Sequence, residues 1–359
     1  MKNSNGMRIA LYSYPMLFQR SGGLQVNVRE TLQALREIGV DAKFFDWAHD
    51  KLTDFDVVHV LSSINGNHRV VEAARDAGVP AVVTSVLHPP FTRIDRHRAK
   101  LASRIAGKIT GWQSRTSYDE IHSCLHHAHR VIAKGQKEKA MLETGYDVPS
   151  DRIAVIPNGV GRRFFEPDPS AFRKSYGLTA PFILCCASIS PYKNQLGLSQ
   201  AAVAAGVNIV LAGGCTQDNR LYLDRCLSAG GGYVSYIGEL AHDSGLLPSA
   251  YGAAYGFALP SKTEVAPLAV LEALAAGRPA ILTRNHSLEI EAGNALREVD
   301  HTDVGDITAG LRWLGDGAAS PRECADVVAG ATWPKMAERI VAQYQAVTRE
   351  IGDGDGGAT

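Results

Sequence analysis

EVAPLAVLEALAAGRPAI, residues Glu264–Ile281, spells out a loop, a helix and the start of a strand. Pro267 suits a first helical turn, because its missing N–H would have had no partner there. Gly277 stops the helix, Pro279 follows it, and Ala280–Thr283 (AILT) reads as a strand. Two carboxylates, Glu264 and Glu272, stand in an otherwise apolar and small-residue run whose only other charge is Arg278. Glu264 falls in the loop and Glu272 inside the helix, about 7 to 8 Å further along its axis. The free N–H groups of the helix start lie between them and form a ready anion site. Two acceptor side chains bracketing a phosphate cradle suit a ligand with hydroxyls on either side of a diphosphate, as in a nucleotide sugar. The plain alternative makes Glu264 a surface loop acid and Glu272 an exposed helix residue.

The same alternation extends outward in both directions. Strand-like runs are Arg8–Ser13, Ala42–Phe45, Val57–Leu61, Ala81–Ser85, Val131–Ala133 and Ile153–Ile156, then Phe182–Ala187, Asn208–Ala212, Val234–Ile237 and Gly256–Leu259. Helical patterns separate them, such as Gln25–Ile38, with Val28, Leu32, Leu35 and Ile38 on one face and Gly39 as its stop. This βα alternation predicts an α/β protein with mainly parallel sheets covered by helices on both faces. The stretch PNGVGRRFFEPDP (Pro157–Pro169) divides two blocks. The expectation is two doubly wound, Rossmann-like domains, 1–162 and 163–334, facing across a cleft at the carboxyl ends of their strands. A final helix, 335–349, packs on either block. Residues 1–6 read as a loose leader and 350–359 as a disordered tail.

At 359 residues the chain is long enough for two cores. Its 37 basic and 37 acidic residues cancel, so no global charge points to nucleic acid. No run is apolar enough to span a membrane. The six cysteines have no metal-ligand spacing, and reduced thiols of a cytoplasmic protein are the plain reading.

The pieces in order resemble retaining glycosyltransferases of family 4, which have the two-domain GT-B fold. Glu264-x7-Glu272 matches that family's Glu-x7-Glu element, and YGAAYGFALPSKTE (Tyr251–Glu264) matches the run before it. Further matches are SGGL (Ser21–Leu24), DVVH (Asp56–His59), TSVLH (Thr84–His88), VIPNGV (Val155–Val160), Lys193–Asn194, LAGG (Leu211–Gly214), Gly238 and Trp333. The resemblance implies sugar transfer, with retention of configuration, from a nucleoside-diphosphate sugar to a hydroxyl acceptor. It makes Glu264 a ligand for sugar hydroxyls, Glu272 a ligand for ribose, and assigns His88 to the donor sugar or the reacting centre. Lys193 becomes the counter-ion of the diphosphate. The implied catalytic set is His88, Lys193 and Glu264. The implied donor site is Gly22, Gly23, Ser188, Lys193, Glu264, Val265, Ala266, Pro267, Leu268 and Glu272. Gly22 and Gly23 also allow close backbone approach by the acceptor.

The chain departs from the pattern in two places. Many relatives carry Arg near Ser188, which leaves Arg162, Arg163, Arg284 or the amides near Pro267 to neutralise the diphosphate. The usual Glu-Gly-Phe-Pro reads Glu-Val-Ala-Pro at Glu264–Pro267. The phosphates are expected to be neutralised by protein groups, so neither metal nor cofactor is expected. No G-x-G-x-x-G dinucleotide turn follows the first strand, Arg8–Ser13, and the intervening helix start argues against a glycosidase pair. A sugar-nucleotide epimerase or phosphorylase, or a non-catalytic sugar-nucleotide-binding subunit, stays open.

Two clusters lie outside this pattern. In residues 94–112, Arg96, Lys100, Arg104 and Lys108 form a basic stripe beside Leu101, Ile105, Ile109 and Trp112. The plain reading is a helix docked on the core with a solvated basic face. The other is peripheral contact with an anionic bilayer at the inner face of the membrane, or with a lipid-diphosphate acceptor. His122, Cys124 and His126 suggest a metal only weakly, since no carboxylate joins them.

Overall fold

The computed structural model describes residues 6–19, 22–88, 91–111, 115–316 and 318–355. The readings at Ser21 and Trp112, and at 1–5 and 356–359, lie outside the described residues. The first block is a six-stranded parallel sheet: β1 (Arg8–Tyr12), β2 (Asp41–Phe44), β3 (Val57–Leu61), β4 (Ala81–Thr84), β5 (Arg130–Ala133) and β6 (Ile153–Val155), in the order β2-β1-β3-β4-β5-β6. Its helices are α1 (Gly23–Glu37), α2 (His68–Asp76), α3 (Arg93–Thr110), α4 (Ser117–His127) and α5 (Gln136–Tyr146). β3, VVHVL, is buried throughout, as a central parallel strand covered on both faces must be. Val57 and Leu61 face one core while Val58 and Val60 face the other.

A second parallel sheet contains β7 (Ile183–Cys186), β8 (Ile209–Ala212), β9 (Val234–Tyr236), β10 (Gly256–Leu259), β11 (Ala280–Thr283) and β12 (Leu296–Val299), in the order β12-β11-β10-β7-β8-β9. Helices α6 (Ser170–Tyr176), α7 (Gln195–Ala205), α8 (Arg220–Gly230), α9 (Leu246–Ala253), α10 (Leu268–Ala275), α11 (Val304–Asp316) and α12 (Pro321–Val328) accompany it. The two doubly wound parallel sheets are those expected. β12 is an addition: LREV carries two charges and is largely half-exposed at the sheet edge, so it lacks the apolar run that marks the inner strands.

The last helix, α13 (Trp333–Asp355), returns to the first block. Met336, Ile340, Tyr344 and Val347 enter the same core as Val28, Leu32 and Leu35 of α1. Tyr344 Oη lies 2.6 Å from His59 Nδ1, and Thr84 Oγ1 lies 2.8 Å from His59 Nε2. Burial pushes this imidazole down to about 3, so it is neutral, with both ring nitrogens satisfied. The expected disordered tail is corrected in part: the helix continues through residues 350–355, and Glu350 pairs with Arg130 at the start of β5. The blocks also touch backbone to backbone: a Cβ on Gly135 would sit 1.9 Å from Ser287 O.

In each sheet the strand order reverses beside the first strand of its block. β1 has β2 on one side and β3 on the other, while β7 has β8 and β10. Such switch points open a crevice at the carboxyl ends of the strands. The loops after β1, β4, β7 and β10 therefore converge, and they carry the residues singled out from the sequence.

Candidate functional site

The loop after β7 ends in a short turn, Pro191–Lys193, and the loop after β10 runs to Pro267. The two are tied by Lys262 N donating to Tyr192 O at 2.8 Å. Lys193 Nζ then donates to Glu264 Oε1 at 2.6 Å. Glu264 is only 6% exposed, which removes the surface-acid reading. Its backbone is fixed on the β11 side, where Glu264 N donates to Asn285 O and Ser287 N donates to Val265 O, each at 2.8 Å. Lys193 is partly exposed and Glu264 buried, so removing the cation would leave the carboxylate desolvated and unpaired, which is costly.

His88 of the first block reaches the same place. Its Nδ1 lies 3.1 Å from Tyr192 Oη and its ring packs edge-on against Tyr192. Desolvation lowers its basicity, with Glu264 acting in the opposite sense and Lys193 in the same sense. The result is a neutral imidazole beside a carboxylate and an ammonium. The loop carrying His88 is held by Glu138 of α5, a fully buried carboxylate. Its oxygens accept from Ser85 Oγ (2.6 Å), Leu87 N (2.8 Å) and Lys134 N (2.6 Å). Desolvation raises the Glu138 pKa against the pull of those donors. Sequence reading missed Glu138 and Tyr192; Glu138 stands among Lys137, Lys139 and Glu143 in α5, and nothing local marks it off from them.

Pro267 is the N-cap of α10, one position before the turn assigned from sequence, with no side-chain cap on the helix start. Gly277 follows the helix at φ 73°, the left-handed conformation of a C-terminal stop. Glu272, 7% exposed, projects into the crevice edge and not to solvent. Tyr251 Oη donates to Glu272 Oε2 at 2.8 Å, and His242 Nε2 lies 3.4 Å from Oε1. Burial and the neighbouring carboxylate raise the Tyr251 phenol far above its usual range, so it acts as a donor. His242 also lies 3.8 Å from Glu30 of α1 and 2.9 Å from Arg163 Nη2. Glu30 is raised by desolvation, which His242 and Arg163 oppose. Val265 and Ala266 are buried, and Ala266 O accepts from Asn158 Nδ2 at 2.9 Å, while Asn158 Oδ1 accepts from Asn27 Nδ2 at 2.7 Å. This bridge runs from α1 through the seam to the loop before α10.

The other singled-out residues divide. Gly22 is the N-cap of α1, and neither it nor Gly23 has an atom within 4 Å of where a Cβ would stand. Ser188 is exposed, and its carbonyl accepts from Gln195. Gly213 of LAGG lets two strand ends close, since a Cβ there would lie 1.9 Å from Ala187 O. Arg284 is exposed and pairs with Asp306 at 2.7 Å. Arg163 lies against His242, and Arg162 is exposed next to it. His122 and His126 stack on each other at 4.0 Å, but Cys124 is fully buried in the core behind them. Among the described residues no group of three or more His, Cys, Asp or Glu could hold a metal ion. In the first block, a cavity of about 340 Å³ opens at the carboxyl ends of β1 and β2, lined by Tyr12, Tyr14, Phe18, Phe45, Asp46 and Trp47 among others.

Residues 33–162 match the Glycosyltransferase Family 4 profile and residues 180–316 the Glycosyl transferases group 1 profile, together most of the chain. No curated protein matches the sequence. Among solved structures, the sucrose-phosphate synthase of Thermosynechococcus elongatus is similar at 17% identity and a TM-score of 0.75, covering 96% of this chain and 100% of that one. HepE of Anabaena in complex with UDP follows at 14% and 0.70, covering 95% and 100%. A glycosyltransferase of Rickettsia africae ESF-5 gives 14% and 0.70, covering 96% and 99%. At such identities these likenesses bear on the fold, the GT-B arrangement of two facing parallel sheets. With both halves matched to profiles of one enzyme class and the whole matched to its fold, the chain belongs to the family 4 glycosyltransferases.

Proposed function

We propose that the protein transfers a sugar from a nucleoside-diphosphate sugar to a hydroxyl acceptor with retention of configuration. The observation that carries this reading is the buried Lys193–Glu264 pair under His88, with Glu272 one helical turn into α10. Glu272 accepts from the ribose hydroxyls, in place of His242. The unpaired N–H groups at the start of α10, beside Val265, Ala266, Pro267 and Leu268, and those of α1 at Gly22 and Gly23, face phosphate. The Ser188 hydroxyl adds a neutral hydrogen bond. Lys193 and Arg163 supply the positive charge, with no metal or organic cofactor in the reaction. Structures of Anabaena HepE contain UDP and UDP-glucose, which supports a diphosphate donor of this class.

In the reaction the bond from the anomeric carbon to the diphosphate oxygen breaks, and its electron pair leaves with the diphosphate. The acceptor oxygen bonds to the same face of that carbon, and its proton passes to the departing phosphate. Lys193 stabilises the charge that grows on the leaving group, which is where a fixed cation contributes most. Glu264 and neutral His88 hold hydroxyls of the transferred sugar. The aromatic cavity beside β1 offers ring faces to an acceptor saccharide or glycolipid headgroup. All six cysteines are unpaired and four are buried, which supports a reducing, cytoplasmic setting.

Product analysis tests the reading. Sugar should appear on an acceptor in step with released nucleoside diphosphate, with its anomeric configuration unchanged by NMR. Epimerised or phosphorolysed sugar without transfer, or an inverted product, would contradict it.

A further inference from the structure

We propose that the outward face of α3 docks the protein on an anionic lipid bilayer. The proposal stands apart from the sugar-transfer reading, because it rests on which side of one helix faces the solvent. An amphipathic helix on a soluble protein normally buries its apolar stripe. α3 does the reverse. Its buried positions are Ser103 and Gly107, and Ser103 Oγ bonds Thr116 Oγ1 at 3.2 Å and the carboxylate of Asp119. Arg96, with a side chain 14% exposed, is turned inward onto Asp147, which Lys100 approaches at 3.8 Å. The basic stripe read from sequence is therefore split, and half of it belongs to the docking side.

The opposite side carries Ile94, Leu101, Ile105 and Ile109, between 52% and 79% exposed. At the helical pitch these four fall within a sector of about 80°. Arg98 falls within that sector and Lys108 beside it, while Arg104 and Arg93 lie about 60° to 80° beyond the same edge as Lys108. All four cations are exposed and form no ion pair among the described residues. No exposed position of α3 is acidic; its one acid, Asp95, is half-buried and bonded to Thr92 at the N-cap.

The charges decide what covers this apolar row. A second copy of the chain would set four cations against four. An anionic bilayer receives the isoleucines and leucine below the headgroups and meets the arginines with phosphate. The helix has 18 residues, so about 27 Å of it lies along the surface. α3 begins at Arg93, a short loop beyond His88. Docking would thus put the entrance of the cleft at headgroup level, where a lipid-borne hydroxyl acceptor would be presented.

The test is flotation of the full chain with vesicles of phosphatidylcholine, alone or with about 30 mol % phosphatidylglycerol, at low and high salt. The expected result is binding to the anionic vesicles at least roughly tenfold tighter than to the neutral ones, weakened by salt. The double substitution Ile105→Asp with Ile109→Asp should lower it by roughly tenfold or more. Arg104→Glu with Lys108→Glu should remove the preference for anionic lipid. Equal binding to both vesicles, or variants that float like the parent, would overturn the proposal. A dimer in ultracentrifugation that the isoleucine variant dissociates would also overturn it and assign the face to a second copy. Calorimetric nucleotide binding by the same samples shows the folded state of each variant. It also separates failure here from failure of the donor-site reading.

Discussion

The two carboxyl edges that face each other across the cleft are built differently. On the side proposed for the donor, Lys193 pairs with Glu264, Tyr251 donates to Glu272, and His242 lies against the same carboxylate. On the acceptor side, the start of α1 is open at Gly22 and Gly23, aromatic rings line a cavity, and α3 turns its isoleucines outward. In the proposed reaction the first of these sides receives a diphosphate between two hydroxyl-bearing rings. The other supplies surfaces instead of paired groups, which in the same proposal suits an acceptor that brings its own bulk.

The largest expected effect breaks the donor side. Lys193→Ala leaves Glu264 buried without its cation and the departing diphosphate without its counter-charge. Steady-state assay should show kcat down by about 10²- to 10³-fold, with a smaller rise in donor KM. A raised KM at unchanged kcat would mean that Lys193 only binds the ground state.

A second effect sits beneath the acceptor side, at His59. Its folded pKa of about 3 lies below the ordinary 6.5 because of burial. Between those values the unfolded chain binds the extra proton, so stability rises with pH there and is lost as pH falls below about 6.5. Urea midpoints from pH 7.5 to 5 should drop, with this histidine contributing up to about 1.4 kcal/mol per pH unit. His59→Ala, which strands Tyr344 Oη and Thr84 Oγ1, should cost roughly 2–4 kcal/mol at pH 7.5 and flatten that acid limb. An unchanged limb would show that His59 is not the group taking up the proton.

The smallest effect sharpens the link between the two sides. Asn158→Ala removes the bridge from Asn27 to Ala266 O and should cost about 1–2 kcal/mol in urea unfolding. Because Ala266 belongs to the donor loop, donor KM should rise a few-fold while kcat changes little. A loss of kcat with KM unchanged would place Asn158 in the chemical step.

The contrast also explains what could be read from the sequence. Runs such as VVHVL and GFAL announce buried strands locally, whereas LREV at the sheet edge carries charge and does not. Glu264 and Glu272 were legible because one strand–loop–helix unit holds both. Lys193 and Glu264 are 71 residues apart and His88 and Tyr192 are 104 apart. Their meeting depends on strand order at the switch points, which no local pattern encodes. The helical period of α3 was visible, but not which side it presents to the protein. That choice was made by Ser103, Gly107 and the Arg96–Asp147 pair, a small and polar docking face. The end of α13 was misread for the same reason: GDGD has no local helix signal, and the tie from Glu350 to Arg130 spans 220 residues.

The most direct test of the donor side is calorimetric titration with UDP, GDP, ADP and dTDP of the parent, Glu272→Ala and Glu272→Gln. The ribose assignment predicts that one nucleotide binds clearly and that Glu272→Ala weakens it by roughly tenfold or more. Glu272→Gln keeps an acceptor for Tyr251 Oη and should lie between the two. Binding indifferent to both substitutions, or no binding by any of the four nucleotides, would contradict the assignment of Glu272 and with it the placing of the donor on α10.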